Sequence, residues 1–177
     1  SFTAREAESP LKIHLGQGIS QNEKMRYTLQ KAVELGVTAI TPLYTLHSER
    51  RLNADALTKK MEHWQGIIIS ACEQCGRNRL PQLHQPHSLE TWLNANKDVG
   101  LVLAPTATDT LTQLPTLTAH QSLRLLIGAE GGLHSSEVEL STQHHFYPLK
   151  LGPRILRTET AAVTILSILQ FIAGDLG

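Results

Sequence analysis

Cysteine is scarce in this chain, neither charge is in excess and no apolar run is long, and each shortage closes off a class of function. The 177 residues include two cysteines, Cys72 and Cys75. They fit a reducing cytoplasm, where the protein is expected to reside. Lys+Arg and Asp+Glu both number 16, so the formal net charge is zero, and the pI is near 7.1. That is not the balance of a free-standing nucleic-acid binder, and any such contact has to come from local patches. The longest mostly apolar run, Ala161 to Ala173, is too short to cross a bilayer. Neither G-x-x-x-x-G-K-S/T nor G-x-G-x-x-G occurs, so a P-loop and a dinucleotide fingerprint are both missing. Internal repeats and low-complexity tracts are also absent. The length is that of about one domain, and 41% apolar residues suffice for a normal core.

What is present concentrates between Ser122 and Leu169. Leu123 to Ile127 is a short apolar run that reads as a buried strand, ending in Gly128-Ala129-Glu130-Gly131-Gly132. Glycines there let backbone come close to a ligand. Ser136, with Glu139 three residues on, offers a capping box for the next helix. The same logic then repeats. Phe146 to Leu151 reads as a strand, Gly152-Pro153 breaks it, and Thr158 is placed to cap a helix whose first position, Glu159, suits the helix dipole.

The remainder alternates helix and strand. Leu11 to Leu15 reads as a strand, the stretch from Lys24 as a helix ended by Gly36, and Val37 to Leu43 as a strand. Asp55 to Cys75 reads as one long helix, Ser88 to Asn94 as a short capped one, and Val99 to Pro105 as a buried strand. Residues 106 to 121, with Pro115 inside, read as an irregular connection around a short helix. This βα alternation predicts an α/β fold with a mostly parallel sheet flanked by helices. Loops after Leu103, Gly128 and Lys150 then meet on the side where open α/β sheets bind ligands, which points to a nucleotide-like ligand. Ser48-Glu49-Arg50-Arg51 is either a solvated charge run or a phosphate contact. Cys72 and Cys75 form a C-x-x-C without a second pair and at the wrong end of a helix for a thioredoxin-like site. His84 and His87 are separated by Pro86 and lack a third ligand, so no metal site is expected.

IGAEGG at 127–132 followed by LGPRILRTETAA at 151–162 closely resembles the 16S rRNA uridine-N3 methyltransferase family of the SPOUT superfamily. KMRYTLQKAVELGVTAITPL at 24–43, SER at 48–50 and EQCGR at 73–77 agree with it. Ala129 stands where that family usually has proline, which should loosen the loop's φ without removing a donor or a charge. The resemblance implies a SPOUT-type fold with a deep C-terminal trefoil knot, using S-adenosylmethionine to methylate uridine N3 of 16S rRNA within the small ribosomal subunit. It implies residues 23–177 as the methyltransferase domain, and residues 1–22 as a lead-in from an N-terminal β-barrel RNA-binding domain. The cofactor would lie against Leu103, Ile127, Gly128, Gly131, Leu151, Gly152, Ile155 and Leu156. Arg157, then Arg154, would stabilise charge on the uracil, and Glu130 or Glu159 would accept the N3 proton or orient those arginines. Arg50 and Arg77 would hold RNA phosphates. Rival readings are the same fold acting on another RNA or another atom, and an RNA-binding assembly module that lost the cofactor, for which Ala129 is the support. The helix from Thr160 to Ile172 is apolar most of the way round and so must be buried on several sides, which predicts a homodimer.

Overall fold

A computed structural model describes residues 5–114 and 116–177; Pro115 and residues 1–4 of the expected lead-in lie outside the described residues. Seven strands, β1 (Lys12–Gly18), β2 (Ala39–Tyr44), β3 (Gln82–Leu83), β4 (His87–Ser88), β5 (Gly100–Leu103), β6 (Ser122–Ile127) and β7 (Phe146–Leu149), form one sheet in the order β3-β2-β1-β6-β5-β7, with β4 also pairing β2. All pairs are parallel, with Leu15 of β1 opposite Ile40 on one side and Leu125 on the other. The expected α/β architecture is therefore present. One boundary needs correction: β1, placed in the lead-in of residues 1–22, lies in the interior of the sheet, with Leu11, Ile13 and Leu15 fully buried.

Parallel strands covered on both faces need apolar residues on both faces, and successive side chains point opposite ways. Leu125 and Leu101 accordingly join a core with α1 (Asn22–Glu34), α2 (Ala54–Cys75) and α5 (Thr158–Ala173), to which these helices contribute Leu29, Trp64 and Ile165. Leu126 and Val102 turn the other way and pack with Trp92 of α3 (Leu89–Asn94), with Val138 of α4 (Ser135–Thr142) beside them.

Helix ends show how local chemistry was read, and where it was misread. Asn53 caps α2 by accepting from the Ala56 N–H, and Gly76, at φ 83°, ends it in the left-handed region. Ser88 caps α3 as expected. In α4, however, the capping box belongs to His134 and Glu137, two residues earlier than the Ser136–Glu139 pair. In α5 the N-cap is Arg157, with no side-chain cap bond, and Thr158 is the first helical residue. The Thr158 hydroxyl donates instead to the carbonyl of Gly128, at 2.6 Å. That long-range bond is what local capping rules could not foresee.

Candidate active site

The loops after β5, β6 and β7 enclose a cavity of about 290 Å³ at the carboxyl ends of the strands. Such a volume sits at the lower end of the roughly 300–1,000 Å³ of small-molecule sites. Every expected cofactor residue lines it: Leu103, Ile127, Gly128, Gly131, Leu151, Gly152, Ile155 and Leu156. Glu130 and Arg154 line it as well. Arg157, the N-cap of α5, stands beside it rather than in its wall. Sequence reading missed Ala104, Leu133, Thr158 and Ala161, which also line it. Ala104 precedes both motifs, Leu133 directly follows the first, and Thr158 and Ala161 fall inside the second, where nothing local marks them as facing a cavity.

The floor of the cavity is stitched together by one amide. Gln17, fully buried at the end of β1, donates from Nε2 to the carbonyls of Gly18 at 3.2 Å and Gly128 at 3.3 Å, and to Thr158 Oγ1 at 3.1 Å. β1, the glycine loop and the start of α5 are thus fixed relative to one another. Among the described residues Gln17 Oε1 is buried without a partner.

The glycines do a different job from the one expected of them. A Cβ on Gly128 would come within 2.9 Å of the Gly132 carbonyl carbon and 3.0 Å of Leu133, and one on Gly131 within 2.8 Å of His47 Cβ. These two positions are glycine because the loop packs on itself and on His47, which corrects the reading that they simply leave room for a ligand. A Cβ on Gly152 would meet nothing within 4 Å among the described residues, but the residue sits at φ 73°, a backbone conformation costly for other residues.

Charged groups around the cavity divide sharply. Glu130 Oε1 accepts from the Gln21 N–H at 2.7 Å, tying the glycine loop to the start of α1. Glu159 is partly buried, and its Oε2 has no partner among the described residues. Arg154 and Arg157 are exposed, and the ion pairs among the described residues, Lys31–Glu34, Arg77–Glu8 and Arg79–Glu6, include neither. Arg50 is likewise exposed on the loop after β2. Arg77 has to be withdrawn as an RNA contact. It is 8% exposed, its guanidinium is paired with Glu8 at 2.7 Å, and it donates to the Val33 carbonyl at 2.8 Å. No donor face is left for a phosphate.

Among the described residues no group of three or more His, Cys, Asp and Glu is placed to hold a metal, and no helix is long and apolar enough to cross a membrane. Cys72 and Cys75 are free thiols at the carboxyl end of α2.

An apolar cavity at the carboxyl edge of a parallel sheet, with backbone loops for walls and open arginines at its rim, defines an α/β domain that binds a nucleotide-like ligand. The family model described as an RNA methyltransferase domain matches residues 7–170. Ribosomal RNA small subunit methyltransferase E of Buchnera aphidicola from Schizaphis graminum is 45% identical over 97% of this chain and 70% of its own length. Among solved structures, Lpg2936 from Legionella pneumophila, in complex with the bound cofactor SAM, matches at TM-score 0.91 and 47% identity, covering 97% of this chain and 70% of that one. The Neisseria gonorrhoeae ribosomal RNA small subunit methyltransferase E bound to S-adenosyl methionine matches at TM-score 0.90 and 33% identity, covering 99% of this chain and 72% of that one. The chain belongs to the ribosomal RNA small subunit methyltransferase E family, and its fold is of the SPOUT type.

Proposed function

We propose that the chain methylates N3 of a uridine in 16S rRNA with S-adenosylmethionine as donor, in the cytoplasm and on the small ribosomal subunit. The observation that carries this reading is the convergence of both motifs, 127–132 and 151–156, on one cavity, in a chain whose relatives bear that enzyme's name. The residues fit the cofactor: Leu103, Ile127, Leu149, Leu151 and Leu156 offer an apolar enclosure for an adenine, and the surrounding backbone offers polar atoms. When bound, the sulfonium supplies an electrophilic methyl group.

Displacement at that methyl is in line, so the protein's contribution is chiefly orientation and exclusion of water. The uracil N3 proton must leave, and charge then builds on O2 and O4. Arg157 and Arg154, free of ion pairs among the described residues, supply donors for that charge. Glu130, with one oxygen held by Gln21, and Glu159, with one oxygen unpartnered among the described residues, are the acceptors for the proton or the braces for the arginines. Arg50 takes an RNA phosphate.

The same proposal includes a homodimer and the trefoil threading. Ile155 is 86% exposed, Phe171 68% and Ile172 48%, a surface on and beside α5 that a second copy would cover. After edge strand β7 the chain returns to α5, which packs in the core with α1 and β6, a path compatible with threading. With zero net charge, the basic contact surface is small, and an N-terminal β-barrel preceding this domain would supply the rest.

The test is transfer of labelled methyl from S-adenosylmethionine to small subunits carrying unmethylated rRNA, with the product mapped by reverse transcription. A methyl at N3 blocks Watson–Crick pairing, so a stop at one uridine is expected. Label on ribose or on another base would overturn the assignment.

A further inference from the structure

The loop after β2, residues 45–49, is fastened to the glycine loop at one point and to the head of α4 at another, and both fastenings involve side chains outside the two glycine motifs. His47 Nδ1 lies 3.1 Å from the Gly131 carbonyl oxygen and 3.3 Å from that of Gly132. Carbonyl oxygens only accept, so the ring proton is on Nδ1 and is shared between them. Steric fit reinforces the bond, because a side chain on Gly131 would run into His47 Cβ at 2.8 Å. The second fastening is Glu137, 8% exposed. Its Oε1 accepts from the His134 N–H at 2.9 Å at the head of α4, and its Oε2 accepts from the Leu46 N–H at 3.2 Å.

The fastened loop is itself closed. Ser48 Oγ accepts from the Thr45 N–H at 2.9 Å and donates to the Thr45 carbonyl at 3.0 Å, and the Glu49 N–H donates to the Ile19 carbonyl at 2.9 Å. Arg50 follows directly, exposed. A segment carrying the phosphate-facing arginine is therefore joined by short bonds to the wall of the methyl-donor cavity.

We propose that His47 is a positioning residue that couples RNA engagement at the 45–51 loop to cofactor binding at the 128–132 loop. The proposal rests on the function argued above and adds a mechanism to it. Ordering either loop orders the other through the shared Nδ1–H, so substrate tightens cofactor, and cofactor tightens substrate by the same factor.

The test is S-adenosylmethionine affinity, by calorimetry, with and without small subunits carrying unmethylated rRNA. In the wild type the subunit should tighten the cofactor about fivefold, the scale of one net hydrogen bond. His47→Ala should lose that enhancement, weaken the cofactor about fivefold on the same grounds, and leave kcat at saturation nearly unchanged. His47→Asn, whose amide N–H reaches about where Nδ1–H sits, should restore both. In a double-mutant cycle His47→Ala and Arg50→Ala should be non-additive. A residue that merely braces the fold would lower the melting temperature and leave the enhancement intact. The proposal is overturned if the subunit leaves wild-type cofactor affinity unchanged, or if His47→Ala keeps the enhancement, and the methyltransferase reading survives either result. A wild type that takes up no S-adenosylmethionine would remove both.

Discussion

Arg124 lies in β6 near the amino end of the sheet, Arg154 and Arg157 follow β7 at the carboxyl end, and the surroundings of these cations could hardly differ more. Arg124 is 1% exposed, and its guanidinium donates to the carbonyls of Leu93 at 3.0 Å, Asp98 at 3.2 Å, and Trp92 and His144 at 3.3 Å each. The rings of Phe146 and Trp92 flank it at 4.7 and 5.5 Å. Its donors are spent on protein, and it pins α3, β5 and the end of α4 together. Arg154 and Arg157 are exposed and form no ion pair among the described residues. An arginine whose donors are matched one by one to carbonyls is a structural part. One left open at the rim of a cavity is available to a ligand.

The sharpest way to break this contrast is to exchange the roles. Arg124→Leu leaves a row of buried carbonyls without donors and should destabilise the fold by about 3–5 kcal/mol, read as a lowered urea midpoint. Arg157→Ala should do the reverse, leaving the midpoint unchanged while lowering kcat by roughly 10²–10³, the cost of one charge-stabilising donor. Equal stability losses in the two variants would erase the distinction.

The amino end also carries the protein's sharpest expected response to acid. His14 Nε2 accepts from the Trp92 indole N–H at 3.3 Å and lies 2.7 Å from the Thr41 hydroxyl. An indole only donates, so the ring is neutral with its proton on Nδ1. Burial first, then the neighbouring His84 and Arg124, push the His14 pKa down to about 4, with Asp98 acting weakly the other way. His84 is lowered too, by burial and by His87. The unfolded chain takes up a proton on His14 below about 6.5 and the folded chain only near 4, so between these values the unfolded state binds more protons. Stability should fall with falling pH across that window, by about 3 kcal/mol from His14 alone. His14→Gln should flatten the profile, and a slope equal to that of the wild type would contradict the assignment.

Smaller still is the effect expected of the loop arginine. Arg50→Ala should weaken binding to small subunits severalfold and reduce the salt slope by about one phosphate contact, whereas Arg77→Ala should lower stability without changing that slope. A changed slope for Arg77→Ala would restore the reading that the structure withdraws.

Strands, long helices and the meeting of three loops were legible in the sequence because they rest on local periodicity and on where glycine and proline break it. The residues expected to hold the cofactor came from motif resemblance, and all of them line the cavity. What escaped depends on partners distant in the chain. Arg77 and Arg50 look alike in sequence, and what makes Arg77 structural is Glu8, 69 residues away, and the carbonyl of Val33, 44 residues away. Thr158 looks like a cap because serine and threonine cap locally, yet its hydroxyl serves Gly128, 30 residues back. The apolar alternation of Leu11 to Leu15 was read as a strand, but nothing local says that this strand lies inside the sheet. Gln17 and His47 carried no signal, since a buried amide and a loop histidine acquire their meaning only from the carbonyls they meet.

The function proposed for the protein requires that the cavity hold the methyl donor. Calorimetric titration of S-adenosylmethionine into the chain, beside an Ala161→Phe variant that fills the cavity from the first turn of α5, tests this most directly. One-to-one binding by the wild type and none by the variant, with thermal midpoints alike, is the expected result. Undiminished binding by a folded Ala161→Phe chain would place the cofactor elsewhere and contradict the account.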